Sequence, residues 1–215
     1  MSRCTLRWAL PVLLLAALLL FAGCATELKD LRTHPQDISK LKPGQTVLVG
    51  QVVLDPPIGK NEQEVNNSIF TSTDYKKPLL VFDDQHVDYS KENDATAHAG
   101  NTEYVSHDFG KTFYAPTTNH PAYVNGLYIY LKMNTDKVAY DLRVLQTDLV
   151  VDARPGDKAV YIGTIRYVRN DLWDLKKIEV VDDYAREKRR FKKIFGGGVK
   201  LVKRLAHRVP ASAAR

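Results

Sequence analysis

Lys158-Ala-Val-Tyr-Ile-Gly-Thr-Ile-Arg-Tyr-Val168 is the stretch that decides the fold. β-Branched and aromatic residues fill it, and Arg154-Pro155-Gly156-Asp157 turns the chain just before it. That composition with that flank reads as a strand. Its one interruption is Gly163, and a glycine inside a strand marks a bulge or a close approach of another backbone. The same chemistry recurs outward in both directions. Residues 46–54 (TVLVGQVVL) are apolar on both faces and lie between Pro43-Gly44 and Asp55-Pro56-Pro57, the profile of a buried strand. Shorter strand signals fall at 68–72, 78–82, 111–115, 138–151 and 176–181. Asn125-Gly126 reads as a turn into 127–133, where Leu127 and Ile129 share one face and Tyr128 takes the other. About eight strands without alternating helices predict an all-β fold, an antiparallel β-sandwich over residues 45–181.

At the other end of the chain, Arg3 and Arg7 precede an almost unbroken Leu, Val and Ala run over 10–22, followed by small residues and Cys24. This is the form of an export signal, with an apolar run short for a spanning helix. Leu20-Phe21-Ala22-Gly23-Cys24 resembles the lipobox of bacterial lipoproteins. The resemblance implies cleavage before Cys24, diacylglycerol on its sulfur and a third acyl chain on the new amine. Ala25, where a retained inner-membrane member would carry Asp, implies the periplasmic side of the outer membrane. Each buried methylene contributes about 0.8 kcal/mol, so two or three chains make a firm anchor. Residues 1–23 are then the signal, and 24–44 the lipidated N-terminus and linker. Within the domain, Pro155-Gly156 and Tyr161-Ile162-Gly163 together resemble strands of secreted transthyretin-like sandwich modules. Cys4 and Cys24 are the only cysteines. A mature chain with Cys24 acylated has no thiol, which excludes disulfides, cysteine-ligated zinc and cysteine nucleophiles.

Charge is unevenly spread. The chain has 31 basic and 25 acidic residues; eleven of the former and one of the latter lie from Tyr184 onward. With Arg3 and Arg7 also set aside, residues 24–183 carry 18 basic and 24 acidic side chains. An acidic body therefore bears a basic tail. An exported protein seldom meets nucleic acid, so the high isoelectric point is not read as nucleic-acid binding.

The tail, 182–215, reads as helical. Asp182-Asp183 suit a helix N-terminus, and Tyr184, Phe191, Ile194 and Phe195 lie near one stripe before Gly196-Gly197-Gly198 stops the run. Val199, Leu201, Val202 and Leu205 then alternate with basic residues in a second short amphipathic pattern. Three uses are open: packing on the domain, contact with a membrane or anionic partner, or docking on an acidic loop. Contact would use Arg186, Arg189, Arg190, Phe191, Lys192, Lys193, Lys200, Lys203 and Arg204, each cation worth about 1 kcal/mol at an anionic surface. An envelope protein is the other partner such a surface fits.

The acidic loop spans 83–110. Asp84, His86 and Asp88 alternate within it and, with His107, form the set for a metal-dependent hydrolase. No calcium-loop, zinc-protease or nucleophile-elbow pattern supports that set. The expectation is a non-enzymatic, cofactor-free binding or scaffolding module, with the hydrolase as the alternative.

Overall fold

The computed structural model describes residues 29–30, 38, 41–59, 62–64, 78–89, 102–134, 138–170 and 174–210. The signal, Cys24, the expected strand at 68–72 and loop residues 90–101 lie outside them. The described chain is mostly β with one helix, arranged as two sheets. The larger sheet holds β1 (Lys29–Asp30), β5 (Glu103–Ser106), β4 (Leu79–Asp83), β7 (Ala122–Asn134), β8 (Val138–Val151) and β12 (His207–Arg208) in that order, with β3 (Glu62–Glu64) also on β7. The smaller sheet runs β10 (Leu175–Val181), β9 (Ala159–Arg169), β2 (Thr46–Asp55), β6 (Thr112–Thr117), with β11 (Leu201–Lys203) also on β9. Helix α1 (Tyr184–Phe195) connects β10 to β11.

The sheets are mixed, which corrects the antiparallel expectation. β2 and β9 are parallel along their whole length, as are β11 with β9 and β1 with β5. The reason lies in residues already quoted: strands apolar on both faces are typical of parallel pairs covered on both sides. On one side Leu48, Val52, Leu54, Val160, Ile162, Ile165 and Tyr167 join Leu80, Phe82, Leu127 and Ile129 of the larger sheet in a single apolar cluster. On the other, Val47, Val49, Ala159 and Tyr161 pack with Phe191, Leu201 and Ile38. Fully burying one such side chain stabilises by about 1.5–3 kcal/mol.

In β9 the residues facing the shared core change parity, from Val160 and Ile162 to Ile165 and Tyr167. A bulge makes this work. Val49 is opposite Tyr161 and Gly50 opposite Gly163, so Ile162 is the extra residue. Gly163 has φ +103°, and a Cβ there would lie 2.6 Å from Val180 Cγ1. β7 shifts likewise between Val124 and Gly126, so Asn125 sits inside a strand and not in the expected turn. A polar bridge crosses between the sheets: the Tyr167 and Thr147 hydroxyls are 2.6 Å apart. Burial pushes the Tyr167 phenol pKa up, so it stays neutral.

Two expected boundaries change. The acidic loop contains β5, whose Glu103 is fully buried and accepts hydrogen bonds from Thr117 and Thr118. That polar residue hid the short strand from a hydrophobicity reading. The second half of the basic tail is not helical: β11 extends the smaller sheet and β12 the larger. Leu201 and Ala206 are buried there, and strand pairing satisfies backbone groups a short helix would leave open. At the end of the linker, Ile38 and Leu41 dock into the cluster beneath α1.

Gly163→Ala should cost roughly 3 kcal/mol, combining an unfavourable φ with a clash against Val180. Gly156→Ala, at φ +99° but with open space around it, should cost about 1 kcal/mol. Urea unfolding of the two variants measures the difference; equal losses would remove packing from the account of the bulge. A chain ending at Gly198 lacks both stitching strands and should lose its cooperative melting transition by near-ultraviolet circular dichroism.

Candidate functional site

Helix α1 is the most strongly charged element in the described chain. Arg186, Lys188, Arg189, Arg190, Lys192 and Lys193 accompany a single acid, Glu187. Spacing of 3.6 residues per turn puts Tyr184, Glu187, Phe191 and Phe195 on one face. That face meets the smaller sheet. Phe191 is 2% exposed; its ring lies 4.7 Å from that of Phe195, which in turn meets Tyr114 edge-on at 5.2 Å. Tyr184 stacks at a tilt on Tyr161, and its hydroxyl donates to the Leu201 carbonyl at 2.7 Å. Burial raises the phenol pKa of both Tyr114 and Tyr161. Like-charged i,i+4 neighbours such as Lys188–Lys192 and Arg189–Lys193 oppose the helix by about 0.2–0.5 kcal/mol each. Burial of Phe191 alone exceeds their sum.

Polar contacts fix the helix in register. Buried Glu187 accepts from the Thr112 hydroxyl at 2.9 Å and from Arg186 Nε at 3.3 Å. Arg190 donates to the same Thr112 oxygen at 3.0 Å. Arg186 Nη2 donates to Asp183 Oδ2 at 2.8 Å, and the Asp183 N–H donates to the Tyr161 hydroxyl at 2.8 Å. The Tyr184 N–H finds Asp182 Oδ1 at 3.0 Å, a carboxylate where the helix exposes its amide groups.

The expected contact residues therefore divide. Phe191 is in the core and unavailable to a surface, because α1 uses its aromatic stripe to cover the sheet. Lys203 pairs with Asp182, and Arg204 Nε with Asp157 Oδ2 at 2.8 Å, so both fasten β11 to the domain. Arg186 and Arg190 are exposed but held by the contacts above. Arg189, Lys192, Lys193 and Lys200 point outward and pair with no carboxylate among the described residues. Ile194, 41% exposed, lies one turn from Arg190, between the cations and the aromatic stripe. No helix of the described residues is long and apolar enough to cross a membrane.

The metal candidates do not converge. His86 Nε2 lies 2.9 Å from Asp148 Oδ1, Asp84 is exposed, Asp88 is half-buried, and His107 is buried with its ring 5.4 Å from that of Phe113. Among the described residues, no three His, Cys, Asp or Glu side chains are grouped to hold a metal ion.

A second polar cluster escaped the sequence reading. The Tyr89 hydroxyl and Asn125 Nδ2 both donate to Asp83 Oδ2, at 3.0 and 2.8 Å. Gln146 donates to the Val87 carbonyl at 3.0 Å and to Asp148 Oδ1 at 2.6 Å, and accepts from the Tyr89 N–H at 2.9 Å. These bonds strap 83–89 across the β7–β8 bulge, where Asp148 takes a positive φ of 51°. The usable signal was Asn125-Gly126. A Cβ at 126 would press on the Tyr89 ring at 3.2 Å, so the glycine admits the strap.

No family model, curated protein or solved structure matches this chain.

Burial opposes the charge on Asp157, but hydrogen bonds from Arg204 and the Arg154 N–H, with the charges of Arg204 and Arg154, outweigh it and hold its pKa below the ordinary 3.8. Its stabilising contribution is thus complete above 3.8 and is lost as pH falls through the lower folded value. Asp157→Asn should cost roughly 1–2 kcal/mol at pH 7 and flatten the acid limb of stability against pH below about 4. Urea midpoints across pH 2–7 read both effects; an unchanged acid limb would remove this pair from acid stability.

Proposed function

We propose that this chain is a lipid-anchored cell-envelope protein, a non-enzymatic β-sandwich that binds or scaffolds on the periplasmic face of the outer membrane. The observation that carries the reading is the run from Arg3 to Cys24: positive residues, a short apolar stretch, small residues, then a cysteine. Two sheets sharing one apolar cluster support the sandwich arrangement. The outward cations of α1 support a binding role, since the helix is already seated by its aromatic stripe and needs none of Arg189, Lys192 or Lys193 for that packing. The absence of cysteine beyond Cys24 suits a chain whose single thiol is a lipid attachment point.

Expressed in a Gram-negative host, the purified protein should have an intact mass corresponding to a chain beginning at Cys24 plus three acyl chains. Cys24→Ser should accumulate as uncut precursor without lipid. A product that keeps Met1 and has a free thiol at Cys24 would overturn the proposal.

A further inference from the structure

Helix α1 and the entry point of the N-terminal chain border the same strand. At one end of β6, Thr112 bonds Glu187 and Arg190, and Tyr114 stacks on Phe195. At the other end, Thr117 donates to Glu103, and Glu103 stands opposite Lys29 in the β1–β5 pairing. Thr112 and Thr117 are separated by about 17 Å of extended strand. Cys24 is five residues before Lys29, so the chain lets it stand no more than about 18 Å from β1. Eight residues beyond Asp30, Ile38 is buried in the cluster beneath α1. The route from the lipid into the domain thus begins at the β5 edge and ends under the basic helix.

We infer that the face formed by Arg189, Lys192 and Lys193 rests on phosphate headgroups of the same bilayer that holds the Cys24 lipid, so that the domain lies on its β6 side. The inference rests on the lipid anchor proposed above and adds a second, electrostatic contact. Three features favour headgroups as the occupant. The cations lack partner carboxylates among the described residues. Ile194, at 41% exposure, adds an apolar side chain on the flank of the same helix, one turn from Arg190. The tether keeps that face at high effective concentration near the surface. β10, at the far edge of the smaller sheet, is held away, with Lys176 exposed to water.

The lipidated chain has no other thiol, so a single introduced cysteine reports position. Ile194→Cys and, separately, Lys176→Cys are labelled with an environment-sensitive fluorophore on the full lipidated protein and reconstituted into vesicles. With 30% phosphatidylglycerol in phosphatidylcholine, the probe at 194 should shift to the blue and the probe at 176 should not. Pure phosphatidylcholine or 1 M salt should remove the shift. The triple variant R189Q/K192Q/K193Q, made in the Ile194→Cys background, should still float with vesicles yet need about 100-fold more anionic lipid surface for the same shift. Free inorganic phosphate at matched ionic strength should leave the shift intact; its selective loss would assign the surface to a soluble phosphate and overturn the inference. Protein that floats while the 194 probe ignores phosphatidylglycerol or the triple variant refutes the membrane contact and leaves the anchor standing. Protein that does not float at all overturns both.

Discussion

β2 and β9 are apolar on both faces, and they lie side by side in parallel. A pair of this kind cannot leave either face to water, so the rest of the structure divides into two covers. The larger sheet supplies one, through the cluster that unites Leu48, Ile162 and Tyr167 with Phe82 and Leu127. Helix α1 supplies the other, with Phe191 above Val49 and Tyr161. β9 has a further demand, because its edge away from β2 must also be paired. β10 takes the half beyond the bulge and β11 the half before it. Gly163 is where the edge changes hands.

Once α1 is fixed as a cover, the distribution of charge follows. The helix turns Tyr184, Phe191 and Phe195 to the sheet and its acid to Thr112, leaving Arg189, Lys192 and Lys193 outside. Charges that serve the fold can be told from those that do not by their partners. Lys203 and Arg204 meet Asp182 and Asp157 and hold β11 in place. Arg189, Lys192 and Lys193 meet no carboxylate among the described residues and take no part in that fastening.

The strongly apolar strands were legible in the residues themselves: β2, β4, β6 and β9 fall where β-branched runs predict them. Their relative direction was not, although two-faced apolarity at 46–54 was a usable sign of a parallel, doubly covered pair. β5 was hidden because Glu103 replaces an apolar residue and is satisfied by threonines distant in sequence. β11 and β12 were hidden because alternating Lys and Leu over 199–205 fits a helix face and a strand equally well at that length. Only pairing with β9 and β8 decides between them. The Phe191 stripe was visible as amphipathic, but whether it met protein or membrane depended on Tyr114 and Tyr161, which no periodicity within the helix contains.

The last strands to be synthesised also have a temporal consequence. Val47 waits for Ala159 before β2 has its parallel neighbour, and β9 waits for Leu201 before its first half is paired. A ribosome delivers the partners of each pairing far apart in time. Pairings this distant along a chain form slowly. Until residues 201–208 have emerged, the first half of β9 lacks its β11 neighbour and β8 its β12 neighbour, so neither sheet is complete before the end of the chain is made.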